Sequence, residues 1–437
     1  MSLAFRPVTE LAAMVADGGV SARELSDFFL DRIRRFDPSL HAFITVMEAA
    51  PPVKGPLTAI PYACKDMIQA RGAPTTAGSR VLAAWVPDED AAVVDRMAAA
   101  GAVLLGKNNQ HEFAYGATGE NPHYGTVPNP YDRSRLAGGS SSGSAAAVAA
   151  GLVPAALGTD TGGSVRVPAA LCGVVGFKPT LGLISTDGVV PYCWTLDHVG
   201  TLTRTVGDAV LVLAVLTGDP VPARRPVAGL RIGLPRRFFF ERADTEITNA
   251  VRRVLAVLEG AGARVVEVDL PAMDHARTVS LTVQLPEALS YHSRYLDTHR
   301  DLYGADILAG LASGQYILAE HYVRAKRFIH HYRTETDKIF DAVDVIVTPS
   351  TPVTAPETGA TEVAGEAVGN AVTRYSSFFN MTGHPALTVP CGLHPNGLPM
   401  GVQIIGRHFD EATVLSLGVA IEADPRCAVP PPPDFAD

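Results

Sequence analysis

Charge is scarce in this chain of 437 residues: Asp, Glu, Lys and Arg supply 19% of it, against a usual share of about 25%. With 47% apolar residues, that excludes a disordered chain and allows a large core. Basic residues are the rarer sign, and the net charge is −9. A general nucleic-acid binder needs a basic face to neutralise phosphates, so that class is excluded, although a local basic patch is not. Long apolar runs are also missing. The longest, Ala145 to Gly158, is broken by Pro154 and falls short of the roughly 20 residues that span a bilayer. Met1 to Val15 carry no basic segment followed by an unbroken apolar one, so no signal peptide is read and a cytoplasmic location is expected. The five cysteines are scattered, odd in number and without a C-x-x-C, which fits reduced thiols better than a disulfide framework. The 13 histidines form no H-E-x-x-H and no Cys/His pairing, so no metal site and no cofactor are expected. His330 and His331 are neighbours in sequence and point apart on a helix. No fixed-period repeat is present.

Glycine (40) and proline (33) are plentiful, so many loops are expected, and the length alone suggests two or three domain-sized units. Ser21-Ala22-Arg23-Glu24 reads as a capping box, followed by Leu25, Phe29, Ile33 and Phe36 at helical spacing, with Pro38 as the stop. Asp90 to Ala100 reads as a helix, closed by Gly101 and followed by the strand Ala102–Leu105. The pattern of helix, glycine and short apolar strand recurs at 246–260 with 264–268, and more loosely at 207–217 with 230–234. Such alternation predicts an α/β sheet covered by helices. Tyr115 to Gly139 lacks periodicity and reads as a long functional loop. Pro220 to Pro226 is the linker candidate, and 272–341 reads as helical. Strands are expected at 344–348, 386–390 and 401–405, and the proline-rich end, Pro430–Asp437, is expected to fray.

Two short motifs mimic other chemistries. Gly101 to Lys107 satisfies G-x-x-x-x-G-K, yet four apolar residues fill the place of the flexible phosphate cradle. Asn108 also has no hydroxyl for magnesium, so a strand end is the better reading. Gly139-Ser140-Ser141-Ser142-Gly143 satisfies the G-x-S-x-G of a nucleophile elbow, which must follow a strand; the preceding 129–136 are polar and turn-like. A longer pattern is more specific. Gly138-Gly139-Ser140-Ser141-Ser142-Gly143 opens a run of small residues to Gly151, suited to a tightly packed helix. Gly158-Thr159-Asp160-Thr161-Gly162-Gly163-Ser164-Val165-Arg166 then supplies a glycine-softened turn whose N–H groups can converge on an oxyanion.

Together with Ile60 to Asp66, Thr75 to Ser79, Glu112 to Asn121, Cys172 to Thr180, Gly383-His384-Pro385-Ala386 and Gly401-Val402-Gln403, this arrangement resembles the amidase signature family over nearly the whole chain. Three positions depart from its pattern, one of them Ser142, which replaces a common glycine and which members of the family acting on urea-like amides also carry. Ala59 stands where a glycine is usual, and Thr201 where a proline commonly follows Gly200; both read as tolerable loop variants.

The resemblance implies one α/β/α domain, residues 1–437, around a large mixed sheet, with a more variable and mostly helical segment at about 220–340. It implies that Lys65 is the base, Ser140 a bridging serine on a cis peptide, and Ser164 the acylated nucleophile. Thr161, Gly162, Gly163 and Ser164 would line the oxyanion hole. Tyr115, Gly116, Tyr192 and Trp194 would line the acyl pocket, although ordinary core packing competes for these four. Asp160, Arg166, Asp197 and Arg204 read as residues that hold the turn. The chemistry is coherent: a serine needs a base, no histidine lies beside these motifs, and burial can lower a lysine pKa enough to leave it neutral. A lone lysine would otherwise be a solvated surface residue.

The expected activity is hydrolysis of a linear carboxamide C–N bond, with a small-molecule amide as partner, no nucleic acid, no membrane, and a homodimer left open. Two alternatives use the same acyl-serine: the A-type subunit of a Gln-tRNA-forming amidotransferase, and a biosynthetic acyl-transfer enzyme. The A-type subunit commonly carries glutamine after the G-G-S-x-R arginine, where this chain has Val167.

Overall fold

A computed structural model describes residues 2–221, 225–271 and 273–436. Strands β1 (Phe43–Val46), β2 (Pro61–Lys65) and β3 (Val103–Asn108) come first, followed by a small hairpin of β4 (Pro128–Asn129) and β5 (Asp132–Leu136). Then follow β6 (Ala155–Asp160), β7 (Val175–Lys178), β8 (His198–Thr203), β9 (Arg231–Pro235), β10 (Arg264–Val268) and β11 (Val345–Pro349). A second hairpin, β12 (Glu362–Val363) with β13 (Glu366–Ala367), precedes β14 (Ala386–Leu393) and β15 (Pro399–Gly406). Eleven of these strands form one sheet in the order β1-β3-β2-β6-β8-β7-β14-β15-β11-β9-β10. It is mixed: β2 runs parallel to β3 and β6, whereas β8, β7, β14 and β15 alternate in direction.

Every residue of β6, β8 and β15 is buried, as happens when helices cover both faces of a sheet. The α5 helix (Arg166–Cys172) packs on β7, β14 and β15, and beside it α4 (Ser142–Ala149) packs on β6, β2, β3 and β8. Against β14 and β15 also lie α7 (Thr245–Gly260) and α13 (Glu411–Glu422), the latter touching α6 (Val206–Thr217). The architecture is the expected α/β one. Within the mostly helical 220–340 segment, β9 and β10 extend the sheet edge at the two short strands expected there, before α8 (Ala276–His299), α9 (Ala305–Gly314) and α10 (Ala319–Ile339) pack together. Residues 222–224 of the linker candidate lie outside the described residues.

Local expectations hold where the physics is short-range. Ser21 caps α2 (Ala22–Leu40) with the reciprocal Glu24 bond. Pro38 does not stop that helix; it sits in the last turn, and the chain leaves the helix at His41, φ +51°. Thr201 lies inside β8 and is fully buried, so it is a strand residue rather than a loop variant. The described part of the C-terminal tail is anchored rather than frayed. Phe435 is buried against Phe36, and its carbonyl accepts from Arg32 at 2.8 Å. All five cysteines are free and buried. Among the described residues no helix is long and apolar enough to cross a membrane.

Candidate active site

The two decoys resolve on burial and hydrogen bonding. Lys107 lies on β3, fully buried, 3.5 Å from Asp66 and donating to Thr75 at 2.9 Å, where no phosphate could reach it. Ser141 is fully buried and its hydroxyl donates to the Thr159 carbonyl at 3.2 Å. The 129–136 segment before it is the β4–β5 hairpin, paired outside the large sheet.

The neighbouring serines are placed differently. Parallel β2 and β6 bring their carboxyl ends to the same edge of the sheet, with Cys64 opposite Leu157, and that edge is where α/β sheets bind ligands. Lys65 closes β2, and Thr159 and Asp160 close β6. Lys65 Nζ hydrogen-bonds Ser140 Oγ at 2.6 Å and Thr159 Oγ1 at 2.7 Å. The Gly139–Ser140 peptide is cis, and Ser140 is fully buried ahead of α4. The small residues of α4 allow this placement: a Cβ on Gly143 would stand 2.3 Å from the Ala42 carbonyl. Burial pushes the Lys65 ammonium down to about 7, against the opposing pull of Asp197 and Asp160.

Ser164 reaches the same place from the other chain segment. Its carbonyl accepts from the Ser141 N–H at 3.2 Å, and the residue keeps a 7% opening to solvent. The turn before it is built on Asp160, which accepts from the N–H groups of Gly163 (2.8 Å) and Val165 (3.1 Å) and from both Nε and Nη2 of Arg166. Burial alone would neutralise Asp160; the Arg166 guanidinium outweighs it and holds the carboxyl well below its ordinary range. Arg166, itself buried, continues to Gln403, Asn380 and the Ser376 carbonyl. Gly163 adopts φ +129°, and a Cβ there would fall 2.0 Å from Ser376 Oγ, so only glycine fits.

Of the four expected oxyanion donors, Gly163 stands apart. Its N–H is already engaged by Asp160, so it shapes the turn, while the N–H groups of Thr161, Gly162 and Ser164 have no partner among the described residues. Thr161 is steadied by Asp197, which accepts its hydroxyl at 2.6 Å and the N–H groups of Tyr192 and Cys193 at 2.9 Å each. Burial raises the Asp197 carboxyl to about 6 against these donors. Arg204 is not at this turn. It donates to the Val148 carbonyl and lies over the Phe5 ring.

The aromatic pocket residues divide. Tyr115 and Tyr192 meet edge to face, 5.1 Å between ring centres, and Tyr192 OH donates to Gln284 Oε1 at 3.1 Å. Gln284 Nε2 in turn lies 4.0 Å from where a Gly162 Cβ would be. Gly116 passes directly over the His111 ring, 2.3 Å from its would-be Cβ. Trp194 is 58% exposed and packs on Tyr291, so it is not part of the buried wall formed by the two tyrosines. Sequence reasoning misses Thr159 and Gln284. Thr159 stands inside the signature motif without an assigned role, and Gln284 carries no local signal at all.

One group of metal-ligand composition does exist among the described residues: Asp337, His384 and His408, whose ligand atoms lie within 4.8 Å of one another. They come from three separated stretches, which motif spacing does not capture. None of them touches Lys65, Ser140 or Ser164 through a hydrogen bond.

A family model for Amidase matches residues 24–415. The chain belongs to the amidase signature family. It is 37% identical to the A-type subunit of the Glutamyl-tRNA(Gln) amidotransferase from Chloroflexus aurantiacus, over 95% of this chain and 96% of that one. A solved amidase structure superposes with a TM-score of 0.91 at 34% identity, covering 96% of this chain and 99% of the other. The corresponding A-type subunit of the Thermotoga maritima Glutamyl-tRNA(Gln) amidotransferase superposes with a TM-score of 0.87 at 32% identity, covering 99% and 98%.

Proposed function

We propose that the chain cleaves carboxamide C–N bonds through an acyl-Ser164 intermediate, with Lys65 as base and Ser140 as proton relay. The observation that carries this reading is a fully buried lysine whose amine contacts two hydroxyls, Ser140 and Thr159, at 2.6 and 2.7 Å. Its pKa near 7 leaves such an amine about half neutral at pH 7, so it can accept a proton. Lys65 takes the proton of Ser140 as Ser140 takes that of Ser164, and Ser164 Oγ bonds to the amide carbon. The oxygen turns anionic on the free N–H groups of Thr161, Gly162 and Ser164. Collapse breaks the C–N bond, and the relay returns the proton to the departing nitrogen, releasing ammonia or an amine. Water, deprotonated by the same relay, then releases the acid and restores Ser164.

A second reading is favoured by the names of the relatives: the chain serves as the A-type component of a Glutamyl-tRNA(Gln) amidotransferase, passing ammonia from glutamine to another acceptor. The chemistry at Ser164 is the same in both. Val167, where such subunits commonly carry glutamine, is buried in an apolar cluster with Leu136, Leu171 and Val372, which favours the free-standing amidase. The deciding experiment assays the purified chain alone for ammonia release from glutamine and from aliphatic, aryl, amino-acid and ureide amides. Turnover of simple amides by the chain alone supports the first reading. Glutamine as sole substrate, or activity that needs co-purifying proteins, overturns it in favour of the second.

A further inference from the structure

At one end of the sheet the register of β14, β15 and β11 gathers three distant segments. Ala386 opens β14 opposite Ile405, and Val345 opens β11 opposite Gly406, the last residue of β15. His384 stands just ahead of β14, His408 just after β15, and Asp337 in the last turn of α10, ahead of β11. The rings of His384 and His408 stack 4.0 Å apart between centres. His384 Nε2 and His408 Nδ1 each lie 3.1 Å from the same Asp337 oxygen, Oδ1.

Protons account poorly for this cluster. The Thr382 carbonyl only accepts, so its 2.9 Å bond with His408 places the ring proton on Nε2. In a neutral imidazole Nδ1 is then a lone pair, and it faces a carboxylate oxygen, acceptor against acceptor. His384 is fully buried, and neither of its ring nitrogens has a hydrogen-bond partner among the described residues. Buried polar groups are normally satisfied, so this one calls for an explanation. The neighbouring cations are turned elsewhere: Arg333 Nε donates to the Thr382 carbonyl at 3.0 Å, and Lys178 Nζ to the His384 carbonyl at 2.7 Å.

We propose that His384, His408 and Asp337 bind a divalent transition-metal ion of the zinc type. Two imidazoles and a carboxylate are a donor set that zinc takes with a water as fourth ligand. The half-exposed side chain of Asp337 leaves a side open for the ion and the water. Zinc bonds of about 2.0–2.1 Å in a tetrahedron put ligand atoms roughly 3.3 Å apart, close to the two 3.1 Å spacings here. The bond from His408 Nε2 to a backbone carbonyl is the outer contact that orients a metal-binding imidazole. Magnesium and calcium would call for more oxygen ligands. The cluster lies at the edge of the sheet that carries Lys65, but β14 is the third strand from β6, about 14 Å away. The ion therefore clamps α10 to β14 and β15 and takes no part at Ser164.

The test strips the purified full chain with a chelator, dialyses it, and titrates it with zinc chloride in a calorimeter, beside Asp337→Asn and His408→Ala. Wild type should take up one zinc per chain with a Kd of about 1 μM or below. Each variant should bind at least about 100-fold more weakly, beyond the roughly 10–100-fold that outer-contact changes cost. With zinc about 100-fold above the Kd, the wild-type Tm should rise by about 2–4 °C, and magnesium at the same concentration should not move it. Cobalt(II) in place of zinc should show the visible absorption of a four-coordinate ion, lost in both variants. Asp337 is exposed enough that Asp337→Asn decides the matter if His408→Ala does not fold. No stoichiometric uptake of zinc, or uptake unchanged in the variants, overturns the proposal and leaves a protonated His408 paired with Asp337. Neither result bears on the amidase reading.

Discussion

Lys65 Nζ and Ser140 Oγ lie 2.6 Å apart in a fully buried site, and the amine's other contact is the Thr159 hydroxyl rather than a carboxylate. That separates Lys65 from the other two fully buried lysines in this structure. Lys107 sits beside Asp66, and Lys178 donates to the carbonyls of Pro179 and His384. A lysine held by hydroxyls gains little from being charged, so burial decides its state, and Asp160 and Asp197 only moderate the outcome from a distance.

This arrangement should cost stability in a pH-dependent way. The Lys65 pKa falls from 10.5 to about 7 on folding, so the unfolded chain binds the extra proton between those values. Stability from this group is therefore present above pH 10.5 and lost as pH falls toward 7. Lys65→Met removes the penalty. It should be more stable than wild type at about pH 6 to 7, by at most about 5 kcal/mol, and the gap should narrow steadily as pH rises toward about 10. Urea denaturation at a series of pH values measures it. A variant less stable at about pH 6, or a gap that widens with pH, would show that folding does not lower the Lys65 pKa.

Catalysis should be indifferent to chelators, because the proposed steps use hydroxyls, an amine and backbone N–H groups, with no water on a metal. Any ion that settles at Asp337, His384 and His408 should reveal itself in the melting temperature and leave kcat unchanged. A loss of kcat on chelation that a divalent ion restores would contradict the serine mechanism.

Ala59 occupies the left-handed region at φ +63° and is fully buried just before β2, in a conformation that costs a residue with a Cβ about 1–2 kcal/mol. Ala59→Gly relieves that strain but loosens the unfolded chain by about 0.4–1 kcal/mol. The net effect should be stabilising by up to about 1.6 kcal/mol, read as a higher urea midpoint with an unchanged slope. A lower midpoint would mean that the Ala59 methyl contributes packing that outweighs its backbone strain.

What can be read from the sequence follows the range of the forces involved. The capping box at Ser21 and Glu24, the strand through Gly106 and Lys107, and the turn from Asp160 to Arg166 are governed by residues within a few positions of each other. All three are legible. Pro38 misleads because it stands two residues before the helix ends at Leu40, so the bond its missing N–H gives up breaks the helix where little of it remains. The tail misleads because its anchor, Arg32 to Phe435, spans 403 positions. The same limit hides part of the site. Thr159 meets Lys65 from 94 positions away, and Tyr192 meets Gln284 from 92; only the strand order and the placement of α8 bring these pairs together. Residue type alone makes Trp194 a pocket wall, and its exposure shows how little residue type says about position.

The most direct test of the account is the mass of the trapped acyl-enzyme. Wild type quenched in acid during turnover of a good amide and digested should carry the acyl mass on the peptide containing Ser164. Ser164→Ala should carry none and should lose activity by several orders of magnitude. Lys65→Ala should accumulate almost no adduct, and in wild type the rate of adduct formation should rise with pH through an apparent pKa of about 7. An adduct on Ser140 or Ser141, or full acylation of Ser164 in Lys65→Ala with the same pH dependence, would contradict the assignment of Ser164 as nucleophile and Lys65 as base.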